Sequence, residues 1–161
     1  MRTPNDVLVH NLTATQLMVQ RFTADLAPGD YLHRPMEKAN CAAWTVGHLA
    51  LSDRHVLSQL GAELPPLPDG FDTRFSRNEG CPQAGDFGDV SAIVPVFDAH
   101  RTRLIEAVRQ TTTEQLEKPL EKPHPMFKTL GEYVSFMSAH TAMHVGQITL
   151  IRRSLGRPPL V

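Results

Sequence analysis

The sequence predicts an all-α fold, an up-down-up-down-like four-helix bundle with a long second connection, as a single domain over residues 1–161. Three observations predict it. Four long segments repeat apolar residues at three-and-four spacing, the mark of a helix with one buried face. Capping and stop residues bracket those segments. No stretch alternates with a period of two, so no strand or hairpin is read. A chain of 161 residues is long enough to bury one proper core.

The first helix opens at Thr3-Pro4, a capping residue followed by proline where its missing N–H does no harm. Leu8, Leu12, Val19, Phe22 and Leu26 mark its inward side, and Ala27-Pro28-Gly29-Asp30 stops it. The second runs from Asn40 as cap to Leu60 and ends at Gly61, with Val46, Leu49, Val56 and Leu60 as its apolar line. From Glu63 to Gly88 the chain is rich in proline, glycine and aspartate and has no clear period. That is long for a bundle connection, which suggests a cover over a pocket. Asp89 caps the third helix, whose inward residues are Val94, Phe97, Leu104, Ile105 and Val108. Pro95 either marks its effective start or kinks it. Thr111 to Leu116 reads as a short extra turn, and KPLEKPHP after it as extended chain. The fourth helix has the strongest cap: Thr129 with Glu132 three residues on fits a capping box. Gly156 and Pro158-Pro159 end it.

Charge excludes several partners. Lys and Arg number 16 against 17 Asp and Glu, so neither nucleic acid nor an acidic membrane surface is expected. No run approaches the roughly 18 apolar residues of a membrane span, and the amphipathic start MRTPNDVLVHNL does not read as a secretory signal. Cys41 and Cys81 form no CxxC motif and are expected as free thiols in a reducing cytoplasm. Histidine, with 8 residues, is the outlier.

Two of those histidines, His140 and His144, sit one turn apart in SAHTAMHVGQ. The apolar line of the fourth helix reads Leu130, Tyr133, Val134, Met137, then Ile148, Ile151 and Leu155. The pair takes the two places where apolar residues were due. Buried imidazoles are costly unless their nitrogens are satisfied, and an i, i+4 pair aims both rings at one point. The pair alone leaves two readings open: metal ligation, or core histidines bonded to carbonyls or water. A third ligand must come from elsewhere. His10, His33, His100 and His124 read as solvated or capping side chains. His48, Ser52, His55 and Gln59 form a polar line beside the apolar line of the second helix. That line is either a solvated boundary or the wall of a polar cavity. His48 follows Trp44-Thr45-Val46-Gly47 and is favoured as ligand, with His55 as the alternative.

The stretch WTVGHLA, followed by HTAMHVGQITLIRRSLGRPPL, resembles the DinB/YfiT-like superfamily of bacterial four-helix-bundle metalloproteins. The family pattern places one histidine on the second helix and an HxxxH pair on the fourth. Gly-Gln, an apolar-basic turn and a closing glycine with prolines then follow. Here these are His48, His140, His144, Gly146-Gln147, Arg152-Arg153 and Gly156-Arg157-Pro158-Pro159. The likeness extends over nearly the whole chain, although the 63–88 segment carries no family motif. It implies a metal site of His48, His140 and His144.

Three neutral imidazoles leave a coordination position open, the arrangement of catalytic rather than structural sites. Zinc fits this donor set, and so does nickel. A coordinated water can fall to a pKa of about 7, and a coordinated thiol ionises likewise. The first outcome is hydrolysis of a small-molecule substrate. The second is transfer of a low-molecular-weight thiol. Similar proteins include bacillithiol-, mycothiol- and glutathione-dependent enzymes, so the resemblance implies thiol S-transfer first and hydrolysis second. It also implies a homodimer.

Gln147 reaches either the site or a neighbouring helix. Arg152 and Arg153 read as cations that favour the helix dipole rather than as holders of a substrate carboxylate. Trp44 and Tyr133 are candidates for the pocket wall. The rival class is a non-catalytic metal-binding dimeric bundle, in which His55 or Ser52 closes the shell.

Overall fold

The computed structural model describes residues 3–76, 81, 87–122 and 124–160. Six α-helices are present among the described residues: α1 Pro4–Thr23, α2 Ala42–Gln59, α3 Phe71–Phe75, α4 Ile93–Gln110, α5 Thr113–Leu116 and α6 Leu130–Ser154. The four long ones form the bundle. No strand occurs among the described residues; one isolated bridge pairs Pro119 with Thr129.

Local chemistry explains most of the boundaries. Thr3 and Asp6 form a reciprocal capping box at the start of α1, and Thr129 and Glu132 form another at α6. Gly61 and Gly156 follow α2 and α6 with φ of +65° and +74°, a left-handed conformation that glycine adopts without strain. Asp89 caps a single 3-10 turn, Val90–Ala92, which leads into α4. Pro95 is therefore the third residue of α4, where backbone N–H groups lack helical partners anyway, and no kink is required. Cys41, not Asn40, is the cap residue of α2. The Asn40 amide is directed across to Gln147 instead.

The first long helix does not pack beside the second, nor α4 beside α6. α2 packs on α4 and α6, and α1 packs on the same two, so α1 and α2 lie across a diagonal of the bundle. The chain between them, and the segment between α4 and α6, are each long enough to cross an end of the bundle. This order puts α2 directly against α6.

The core runs the length of the bundle. Val46, Leu49, Phe97, Val145 and Ile148 fill one part, and Leu12, Val56, Leu104, Val134 and Met137 another. At its centre Arg101 of α4 is fully buried. Its guanidinium donates to both Asp53 oxygens at 2.7 and 2.9 Å, to Thr15 Oγ1 at 2.9 Å and to Thr141 Oγ1 at 2.8 Å. One cation thus ties all four long helices. His100, beside it, is also fully buried, with Nδ1 on the Val96 carbonyl. This corrects the solvated reading of His100.

The 63–88 connector holds α3, which the sequence does not announce. Phe71 and Phe75 of α3, with Phe87, are buried in the core. The described part of the connector is anchored to α2 rather than laid over a pocket. Arg152 is a second correction. It is buried, donating to the Phe22 carbonyl of α1 at 3.1 Å and pairing with Asp25 just past that helix, so it ties α6 to the end of α1 as well as lying in the last turn of its own helix.

Candidate metal centre

Adjacency of α2 and α6 brings His48 beside His140 and His144. One ligating nitrogen from each ring lies within 4.8 Å of those of the other two. His144 is buried, and the other two are half-buried. The ring of His48 meets those of His140 and His144 edge-on, with centroids at 5.3 and 5.2 Å. The α6 histidines lie at the flank of its core line, which runs through Met137, Thr141, Val145 and Ile148. Thr141, not a histidine, takes the central place, because its hydroxyl serves Arg101.

The environment prepares these rings as ligands. His144 and His140 face each other through Nε2 atoms 3.1 Å apart. Two imidazole nitrogens on one ion, at bonds of about 2.1 Å, stand about 3.0 Å apart at a right angle and about 3.4 Å at a tetrahedral angle. The observed spacing falls inside that range. His144 Nδ1 lies 3.2 Å from Gln147 Oε1, which also accepts from Asn40 Nδ2 at 3.4 Å. A carbonyl oxygen can only accept, so Nδ1 carries the proton and the Nε2 lone pair is free for a metal. Burial lowers the pKa of His144, with Gln147 acting in the opposite direction, and the neutral form is the one that ligates. Trp44 stacks flat on His48 at 4.8 Å and 4°, fixing that ring plane.

Above the three rings lies a cavity of about 320 Å³. Trp44, Phe136, Met126 and Met143 supply its apolar wall, and Asn40 and His124 its polar groups. His124 and Met126 come from the loop before α6. That loop is closed at its base by two backbone bonds, Leu120 N–H to Lys128 O and Leu130 N–H to Lys118 O, each 3.0 Å. His124 stacks on Phe127 at 3.7 Å, and its Nδ1 accepts from the Met126 N–H. Its place in a proline-flanked loop gave the sequence no signal of this role. His124 also borders a second cavity, of about 270 Å³, lined by His55, Gln59, Lys122 and Tyr133 among others.

The remaining sequence candidates divide. Trp44 and Gln147 join the site. Tyr133 and His55, with ring centroids 5.9 Å apart, line the second cavity instead. Ser52 spends its hydroxyl on the His48 carbonyl at 2.9 Å. Among the described residues no fourth histidine, cysteine or carboxylate joins the cluster.

The profile of the DinB superfamily matches residues 11–148. The chain belongs to the DinB superfamily. No curated protein matches it. Among solved structures it is similar to YfiT from Bacillus subtilis, described as a probable metal-dependent hydrolase with an unusual four-helix bundle topology. The two share 16% identity at a TM-score of 0.68, over 96% of this chain and 89% of YfiT. That likeness is one of fold. Within this DinB-superfamily bundle the histidine cluster lies at the α2–α6 seam, open to the larger cavity.

Proposed function

We propose that this DinB-superfamily protein is a divalent-metal-dependent enzyme, and that hydrolysis of a small uncharged substrate is its reaction. The observation that carries the reading is the cluster of His48, His140 and His144, with no fourth side-chain ligand among the described residues. These residues would hold zinc or nickel, whose chemistry suits an imidazole set. Such an ion, when bound, supplies Lewis acidity and lowers the pKa of a coordinated water or thiol. The chain's own groups do the rest. Gln147 holds the His144 tautomer, and Trp44 holds the His48 ring. Trp44 Nε1–H is buried and has no hydrogen-bond partner among the described residues. It is an uncommitted donor on a residue of the cavity wall. Phe136, Met126 and Met143 exclude water and favour an apolar substituent. The name of YfiT, a probable metal-dependent hydrolase, agrees with this choice.

Thiol transfer is the second reading, with a narrower basis. The described residues lining the larger cavity include no cation for the carboxylates of a peptide-like thiol, and Arg152 is committed to Asp25. Lys122, in the adjoining cavity that shares His124, is the cation that favours it.

Metal analysis of protein purified without a nickel column tests the proposal. About one zinc or nickel per chain is expected, lost in His144→Ala with the helical circular dichroism retained. Absence of bound metal after reconstitution overturns it. Ester and thiol-conjugation assays on the loaded protein then separate the two reactions.

A further inference from the structure

Away from the histidines, two thiols meet. Cys41 caps α2 and is fully buried; Cys81, in the connector between α3 and α4, is part-exposed and packs on the same core cluster. Their sulfurs lie 3.8 Å apart, against about 2.05 Å for a disulfide bond. Closing the gap takes a movement of about 1.8 Å between the sulfurs, and the two side chains already pack against one core cluster. Arg34 steadies the arrangement, donating to the Ala39 carbonyl at 3.0 Å and to the Cys81 carbonyl at 3.3 Å.

We propose that Cys41 and Cys81 form a reactive dithiol that hydroperoxides oxidise to an intramolecular disulfide, with Cys81 as the attacking sulfur and Cys41 as the resolving one.

The roles follow from the asymmetry of the pair. Cys81 is reachable from solvent. Its thiol is pulled down to about 6, first by the hydrogen bond from Cys41, with the Arg34 guanidinium adding to it. Cys41 is pushed up by the same contact and by burial, so it stays protonated. A thiolate is the nucleophile in such chemistry. The Cys81 thiolate attacks one oxygen of hydrogen peroxide; the S–O bond forms as the O–O bond breaks, and hydroxide leaves. Cys81 is then a sulfenic acid, oxidised by two electrons, and the peroxide is reduced. The hydroxide released in that step takes the Cys41 proton, and the Cys41 thiolate so formed attacks the sulfenic sulfur, forming the S–S bond and breaking S–O. The Cys41 proton and the two departing hydroxides account for two waters, once the proton first lost by Cys81 is counted. The net change is two thiols and one peroxide to one disulfide and two waters. The site is independent of the metal proposal, although Cys41 precedes the helix that carries Trp44 and His48.

The test is hydrogen peroxide treatment of the full chain, read by intact mass and by thiol counting after unfolding. The wild type is expected to lose both thiols and the mass of two hydrogen atoms while remaining a single chain. Cys81→Ser should keep its Cys41 thiol. Cys41→Ser, or Cys41→Ala if the serine variant fails to fold, should stop at a Cys81 sulfenic acid that dimedone traps. Retention of both thiols in the treated wild type overturns the proposal. So does a sulfinic acid on Cys81 as the end product, or disulfides formed only between chains. Oxidation of Cys41 in the Cys81→Ser variant overturns the assigned order of attack.

Discussion

His144 depends on Gln147 for the one thing a ligand most needs, a fixed tautomer. Outer partners of ligating histidines typically account for 10- to 100-fold in metal affinity. Gln147→Leu is therefore expected to weaken binding by roughly that factor, while Gln147→Glu, which still accepts from Nδ1, retains it. A chelator-competition titration measures this, followed through emission of the single tryptophan, Trp44, whose ring lies flat on His48. Equal affinity in the leucine variant would show that His144 is oriented by its helix alone. The ligand candidates were legible from sequence because spacing on one helix places His140 over His144, and His48 lies on a polar line within apolar sequence in the second helix, a choice over His55 that the resemblance reinforced. What was not legible has a common cause. Asp53 and Arg101 stand 48 positions apart, and neither residue's neighbours in sequence disclose the other. A charged residue beside polar ones reads as solvated until its partner is known. The same holds for Arg152, paired with Asp25 127 positions earlier in the chain, and for His124.

Among the elements, the four long helices were readable because caps and periodicity agree, as at Thr129 and Glu132. The connector was not, since five residues of helix leave too short a period to detect. Its anchoring rests on Gly47. A Cβ there would come within 2.4 Å of the Phe75 ring, closer than atoms tolerate, and the ring is buried on all sides. Helix propensity alone would make Gly47→Ala stabilising by about 1 kcal/mol. The clash opposes this, and overpacking of a core typically costs about 1–3 kcal/mol. Net destabilisation is expected in chemical denaturation, with α3 displaced from α2. Combining it with Phe75→Leu should cost less than the sum of the single changes, since the two share one contact. A more stable Gly47→Ala protein would mean that α3 gives way without loss.

At the scale of the whole molecule, two buried arginines hold helices together by different means, and they separate under different perturbations. Arg101 is paired at zero exposure with Asp53, so removing the guanidinium leaves a carboxylate buried without its counter-charge. Arg101→Ala is expected to lose about 3–5 kcal/mol, a large part of the ~5–15 kcal/mol typical of a domain. Arg101→Met with Asp53→Leu should recover most of it, and equilibrium denaturation of the three proteins checks the cycle. The second cluster sits near solvent, where Asp25 meets Arg152 and Arg157, and Asp30 meets Arg157. The hydrogen bond from Arg152 leads in holding Asp25 below its ordinary value of 3.8. Asp30 is held down first by the Ala27 N–H and then by Arg157. Both carboxyls thus bind protons more weakly folded than unfolded. Their contribution is fully present above the unfolded value and lost as pH falls through the folded one. Stability should decline from about pH 4 downward, and Asp25→Asn should make that decline shallower while lowering stability at neutral pH. Urea denaturation of both proteins across the acid range measures the two slopes. An unchanged slope would place the acid sensitivity of the bundle elsewhere, with the cap carboxylates Asp89 and Glu132, both held below their ordinary values by hydrogen bonds, the first to test.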